Sequence, residues 1–539
     1  MPAGLPALTG HWMRCHIALG ARLHRPLASL GWALLVCVAA SLPSPASAAD
    51  EARDIAGEAQ REQLAQWRRS LNQRADVLTP QGVQAWIEPV AGESPCFQLS
   101  TIAWLPGEGV ADLGPGLLGN LGRYADRCLG PRSIEALRTN LEARLVAQGL
   151  VTSSIEVPAQ NLADGMLLLR LHLGRIDSVV IEPGAATGTS LPSVQALGLR
   201  PGAVLNLRQI EQALENLARL PSQAARFRIE PGLQPGSSRI VILPAGGPRW
   251  HASLGAETTE VADYGPWALS GSVTLDAPLG LSDQISLVAS LGSRREADGD
   301  SPRQTSLLLN YSLPWGPHLW TANLSHSAHQ RSIQGGVGRF ADSGAEWLAQ
   351  ARWTWTAWRN QDARLSLWAG ATARRSQAFV EGIELLLQRR ESSSADLGLA
   401  LWHRLGCGDA SAEAELSRTQ HLARDEAFQA PVERLPETWR LQLQWRCGLA
   451  AALRPPTPQP TSADDSQAPA GPASTPWEWQ GRLWVQGASH PAGPVDLSSI
   501  GGRWTVRGHA ARLSLSGAGA VVLRQEWLAP PLALGACRT

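Results

Sequence analysis

From Trp250 onward the chain alternates. In 347–357, Trp347, Ala349, Ala351, Trp353, Trp355 and Ala357 fall on one face of an extended strand, and Gln350, Arg352, Thr354 and Thr356 on the other. The same period runs through 283–293, where Ile285, Leu287, Ala289 and Leu291 oppose Gln284, Ser286 and Ser290. It recurs in 305–313, where Leu307, Leu309, Tyr311 and Leu313 oppose Ser306, Asn310 and Ser312. Followed along the chain, the pattern predicts about twelve strands, near 249, 267, 283, 304, 318, 346, 362, 383 (reaching about 404), 410, 436, 477 and 517. A soluble antiparallel sandwich would alternate in the same way. Three features favour a transmembrane barrel instead: strands near ten residues, Trp-rich apolar faces, and short turns (APLGLSD, LPWGPH, WRNQD) alternating with longer polar loops around 294–303 and 329–344. Closing such a sheet leaves no backbone edge unpaired in lipid.

Upstream the period is helical and the order of elements repeats. Residues 97–104, 152–157 and 166–173 read as strands, 113–124 and 133–148 as helices, the second carrying Ile134, Leu137, Leu141 and Leu145 on one stripe. After the strand RIDSVVIEP, Asn206 can cap a helix with Gln209 three residues on; Leu207, Ile210, Leu214 and Leu217 form its apolar stripe, and Glu215 and Arg219 sit at i,i+4. The strands ARFRIE and SRIVIL follow, so 96–245 holds two strand–helix–helix–strand–strand modules. Before them, 51–77 is polar and rich in helix formers, with acids first and arginines later, as the helix dipole favours.

The first 48 residues carry Arg14, Arg22 and Arg25, no acid, a short apolar run and an Ala46-Ser47-Ala48 cleavage pattern, which reads as a secretory signal peptide. Lys plus Arg and Asp plus Glu both count 47, giving a formal charge of +0. No general basic surface therefore points to nucleic acid. No lysine occurs, so a phosphate-loop lysine and nucleotide chemistry are excluded. GPGLLG, Gly114 to Gly119, matches GxGxxG only formally, being interrupted by Pro115. Neither HExxH nor GxSxG is present, and no CxxC pair suggests a metal, so the reading is of a non-enzyme without cofactor or metal. Of the cysteines, Cys96 and Cys128 are the best disulfide candidates in an oxidising compartment. Residues 451–476 are a Pro/Ala/Ser low-complexity insertion, expected to be disordered.

Several long stretches resemble one family. CFQL, DRCLG, LEARLVAQGLVTSSIEVPAQNLADGMLLLRLHLGRID, LNLRQIEQALENLARLPSQAARFRIEPGLQPGSSRI, PLGLSDQ and IGGRWTVRG occur in the order seen in two-partner secretion outer-membrane transporters, the FhaC/ShlB/HecB-like hemolysin secretion/activation proteins of the BamA-like superfamily. The resemblance covers nearly all of 50–528 and implies α+β POTRA modules followed by an all-β antiparallel barrel of about sixteen strands. It divides the chain into 1–48 signal peptide, 49–77 plug-type helix, 78–95 linker, 96–174 and 175–246 POTRA domains, and 247–539 barrel.

By the same resemblance Cys96 and Cys128 are bonded in the first domain. Val506, Arg507, Gly508 and His509 form the tip of a loop folded into the lumen, where the Arg507 fork would pair with a wall aspartate; His509 stands where the family has an aromatic residue. The family's acid lies in a D-x-G motif on a strand after this loop, ahead of further strands and a terminal aromatic. Here only LAPPLALGACRT follows Trp527, so a truncated chain, with about twelve strands present, is expected.

The implied partner is an unfolded secreted exoprotein, the implied setting the outer membrane of a Gram-negative bacterium with the modules in the periplasm, and the implied neighbours its lipids; nucleic acid and nucleotide are not implied. The partner-binding surface predicted from the residues is the strand 225–230 with its adjoining helix, carried by Leu207, Ile210, Arg226 and Arg228. The alternatives are a BamA/TamA-like assembly factor, disfavoured by having only two modules, an inactive fragment, and a passive porin.

Overall fold

A computed structural model describes residues 86–107, 121–182, 191–258, 267–293, 303–334, 338–421, 437–448, 477–488, 498–500 and 515–529. Module 1 comprises β1 (Phe97–Leu99), β2 (Thr101–Trp104), β3 (Arg127–Leu129), helix α1 (Pro131–Ala147), β4 (Ser154–Glu156) and β5 (Met166–His172). Strand β5 lies between β2, parallel to it, and β4, antiparallel, while β1 pairs with β3. On α1, Leu137, Leu141 and Leu145 are fully buried against Leu99, Leu129, Leu167 and Leu169, and Ile134 packs beside them. Each such leucine contributes about 1.5–3 kcal/mol. Of the helix predicted at 113–124, the described part is a single 3-10 turn, Leu121–Arg123.

The start of α1 is capped from outside. Glu93 accepts hydrogen bonds from the amides of Gly130 (3.2 Å), Arg132 (2.6 Å) and Ser133 (3.1 Å) and from the Ser133 hydroxyl (2.7 Å). These donors are the ones a helix start leaves unsatisfied, and Pro131 lacks one to begin with. Desolvation alone would raise the Glu93 pKa, but the Ser133 and backbone hydrogen bonds hold it below the ordinary carboxylate value. The Cys96–Cys128 disulfide, with Cα atoms 5.3 Å apart, ties the same segment to β3.

Module 2 repeats the order: β6 (Arg175–Ile181), α2 (Val194–Leu197), α3 (Leu207–Ala218), β7 (Ala225–Pro231) and β8 (Ser237–Pro244). Again the last strand is central, parallel to the first and antiparallel to the middle one. The Asn206 side chain caps α3 by accepting from the Arg208 amide at 2.8 Å. Ile210, Leu214 and Leu217 are buried as their spacing predicts, with Leu207 packed against the same core. The opposite face of α3 is buried too, although it carries Glu211, Gln212, Glu215 and Asn216.

Twelve antiparallel strands follow in one sheet, each paired with the next: β9 (Trp250–Thr258), β10 (Trp267–Asp276), β11 (Gln284–Ser293), β12 (Arg303–Trp315), β13 (His318–Gln334), β14 (Arg339–Arg359), β15 (Ala363–Val380), β17 (Arg390–Leu405), β18 (Gly408–His421), β19 (Glu437–Gly448), β20 (Glu478–Ala488) and β23 (Ala520–Leu528). The short β16 (Ile383–Glu384) folds back on β15, and β21 (Ser498–Ile500) pairs with β22 (Leu515–Gly517). The alternation predicted from sequence is observed: Trp267, Leu269, Leu287, Leu307, Leu324 and Trp347 lie exposed on the outer face, while Ser286, Asn310, Ser312, Thr321 and Asn323 are buried on the inner one.

Aromatic rings cluster at two heights. His318 stacks on Trp353 at 5.7 Å near the turns, and His326 on Trp347 at 4.2 Å higher up. From Trp347 to Trp355 is about 27 Å of strand, or about 20 Å along the membrane normal at the usual tilt, close to the thickness of a barrel's lipid-facing band.

Two stretches of the sheet depart from the reading. The strand predicted from 383 begins only at Arg390, after β16 and a 3-10 turn at Leu386–Gln388. The polar segment 329–344 is largely strand: β13 continues to Gln334 and β14 begins at Arg339, with Arg331 opposite Asp342. Beyond the upper aromatic height neither face meets lipid, so the alternation that marks a strand in the sequence is lost there.

Candidate functional site: a module docked on the mouth of a pore

The polar face of α3 is buried because it rests on the turns of the barrel. Glu215 forms ion pairs with Arg359 and, at 3.1 Å, with Arg364, on either side of the β14–β15 turn. The Glu215 and Arg359 side chains are 4% and 6% exposed. Asn216 Nδ2 donates to the carbonyls of Ala196 (2.7 Å) and Gly316 (2.8 Å), and the Gly316 amide donates to Gln195 (3.0 Å). Gly198, at φ +68°, lies so near Gly316 that an added Cβ would stand 2.6 Å from its Cα. No larger residue fits this contact between α2 and the β12–β13 turn.

A third set of bonds holds the β10–β11 turn. The Ser222 amide (3.1 Å) and hydroxyl (2.7 Å) donate to Asp276, and the Ser193 amide donates to the Ser282 hydroxyl at 2.8 Å. Arg219 lies buried beside this interface; burial first, then the nearby Arg364 charge, pushes its pKa down to about 10. Three arginines thus surround one glutamate.

This docking corrects the predicted partner surface. Ile210 is 0% exposed within the module core, Leu207 packs against that core, and the polar face of the helix belongs to the barrel. Of the helix only Gln209 and Ala218 remain exposed. Arg226 and Arg228, by contrast, are exposed on β7. Arg228 bonds Glu230 (2.6 Å) and Glu182 (3.4 Å), and Arg239 also bonds Glu230 (2.5 Å). The hydrogen bonds from Arg239 and then Arg228 hold the Glu230 carboxyl below its usual pKa. Strand β7 pairs with β8 on one side; among the described residues no strand pairs with its other edge.

Val506, Arg507, Gly508 and His509 lie outside the described residues. Inside the barrel a charged cluster spans β14 to β20. The Arg352 guanidinium lies 3.5 Å over the Trp368 ring and near Glu413 (3.7 Å) and Glu415 (3.8 Å). Arg440 bonds Glu415 (2.9 Å) and Gln486 (2.7 Å). Asp396 accepts from Thr372 (3.2 Å), Ser394 (3.2 Å) and Ser417 (2.5 Å). The alternation of β15 turns this tryptophan inward, and its strand partner Gly398 makes room for the ring, since a Cβ there would come within 2.3 Å of the indole.

Sequence reading missed this cluster because its members are single polar residues on different strands, joined only by register. It also left Cys407 and Cys447 unpaired. They are bonded, Cα atoms 4.8 Å apart, across the turn end of β18.

Two small α+β modules in series, the second fastened to the turn side of an antiparallel barrel with a polar interior, define an outer-membrane transporter. The chain belongs to the haemolysin secretion/activation protein family ShlB/FhaC/HecB, whose description matches residues 236–535. POTRA domains match 175–231 and, in the ShlB-type form, 108–174. It is 27% identical over 523 residues to outer membrane transporter CdiB-2 of Burkholderia pseudomallei (strain 1026b), covering 92% of this chain and 84% of that one. With hemolysin transporter protein ShlB of Serratia marcescens it shares 29% identity over 248 residues, 46% of this chain and 43% of that protein. The fold matches CdiB from Escherichia coli at a TM-score of 0.70 and 21% identity, over 90% of this chain and 85% of that one. The protein is therefore an outer-membrane transporter of two-partner secretion, with its POTRA domains in the periplasm.

Proposed function

We propose that the cargo is a secreted exoprotein of hemolysin or adhesin type, received unfolded in the periplasm along the open edge of β7. The observation that carries this reading is the division of labour within module 2: α3 is committed to the barrel, whereas β7 offers main-chain donors and acceptors beside two exposed arginines. Main-chain pairing would accept many sequences, and Arg226 and Arg228 would favour segments carrying acids. No nucleotide is needed if folding outside the cell makes passage directional.

Arg507, by family resemblance, would close the lumen as a latch that moves during transport. The test of reception is binding of an unfolded N-terminal exoprotein segment to the full chain in nanodiscs, measured by calorimetry. Arg226→Glu with Arg228→Glu should weaken binding tenfold or more, on the order of the effect of lost charge-assisted hydrogen bonds; undiminished binding refutes the reading.

A further inference from the structure

The inner wall of the barrel has two chemically different halves. From β14 to β19 it carries Arg352, Glu413, Glu415 and Arg440 in one ion-paired cluster, with Asp396 held nearby by the hydroxyls of Thr372, Ser394 and Ser417. From β10 to β13, between the docked rim at Asp276 and the upper Arg331, every inner position with a polar side chain bears a hydroxyl, a carboxamide or the His329 ring, and none a fixed charge. At one height, directly paired residues form a continuous row across the sheet: Thr274, Ser286, Asn310, Asn323, Gln350 and Thr372.

The two ends of this row satisfy themselves. Thr274 donates to Ser286 at 3.1 Å, and Gln350 to Thr372 at 3.0 Å. The centre does not. Asn310 and Asn323 are 1% and 5% exposed, yet the Asn310 carbonyl oxygen and both amide atoms of Asn323 lack a hydrogen-bond partner among the described residues. Buried amides are nearly always paired, so an unpaired neighbouring couple on a pore wall marks a place where a hydrogen-bonding ligand belongs.

We infer that the inner face of β10–β13 is the track along which the transported polypeptide moves, with the carboxamides of Asn310 and Asn323 exchanging hydrogen bonds with its peptide groups. A side-chain amide offers one acceptor and two donors, the same chemistry as a backbone peptide, and so reads extended chain without selecting side chains. A wall free of fixed charge holds no counter-ion on the cargo and lets each segment leave as readily as it arrives. The occupant is an extended, largely uncharged segment of the exoprotein. This inference rests on the transporter reading above.

The test places a photo-crosslinking amino acid at Asn323 and, in a second chain, at Glu413 on the charged wall, during secretion of a cargo stalled by a folded domain. Barrel insertion is checked by heat-modifiable gel migration. Cross-links to cargo at 323 and few at 413 support the track. Cross-links at 413 alone, or at 323 only to residues 49–77 of the transporter itself, overturn it. Asn323→Leu, which keeps the branched shape and removes the amide, should slow secretion about tenfold in an inserted barrel; an unchanged rate also overturns it. The two readings fail differently: if the unsubstituted chain secretes nothing, both fall, whereas secretion without a cross-link at 323 removes the track alone.

Discussion

The two periplasmic modules have the same strand order and are held in place by different means. Module 1 is braced internally: a disulfide joins Cys96 to Cys128, and Glu93 closes the start of α1. Module 2 has no disulfide among its described residues and is braced externally, by Glu215, Asn216 and Ser222 against three barrel turns. Between them, the turn after α1 meets the start of α3, with the Leu207 amide donating to the Gly149 carbonyl at 2.8 Å. The difference shows that a fold with a small core can be stabilised by a covalent staple or by a neighbour, and that the choice decides which module is mechanically part of the pore.

Removing the Glu215 carboxylate should have the largest effect. Glu215→Ala leaves Arg359 and Arg364 buried without their acid, a loss of about 3–5 kcal/mol when one partner of a buried pair is deleted. Spin-label distances between module 2 and the barrel should broaden while the fold of module 1 is unchanged; retention of a single narrow distance would show that the ion pairs do not hold the dock. Next comes the staple. The Cys96→Ser, Cys128→Ser chain loses a cross-link spanning 32 residues, worth about 4 kcal/mol of unfolded-state entropy. Hydrogen exchange should rise across α1 and leave α3 protected.

A smaller, pH-dependent effect belongs to Glu93. Its pKa is lower folded than unfolded, so its stabilisation is present above the ordinary glutamate value and is lost as pH falls through the folded one. Exchange rates in α1 of Glu93→Gln and the unsubstituted chain should differ at neutral pH and converge in acid. Smallest of all is Arg239→Ala, in which an exposed arginine is removed as one of two partners of the part-buried Glu230: neither docking nor exchange in α3 should move measurably.

Much of this was legible in the sequence. Periodicity located all twelve barrel strands because each has lipid on one side, and the stripes of α1 and α3 because each has a core on one side. What was hidden depended on a second neighbour. Glu215 was read with Arg219 one turn away, yet its acid reaches Arg364, 149 residues along the chain. Ile210 and Leu207 were read as contact residues for a partner, although a helix packed on both faces has no free stripe. The Asn310–Asn323 pair and the Arg352 cluster exist only through register, which alternation constrains in face but not in level.

The extension of β13 and β14 past the His326–Trp347 stack also bears on what the cell shows to its surroundings. Eight residues of β14, 339–346, lie above Trp347, about 20 Å of height at the usual strand tilt. There Arg331 bonds Asp342 at 3.0 Å with both side chains buried, so the extension is a braced parapet. A phage, an antibody or a neighbouring cell arriving at this barrel meets that parapet before it meets the opening.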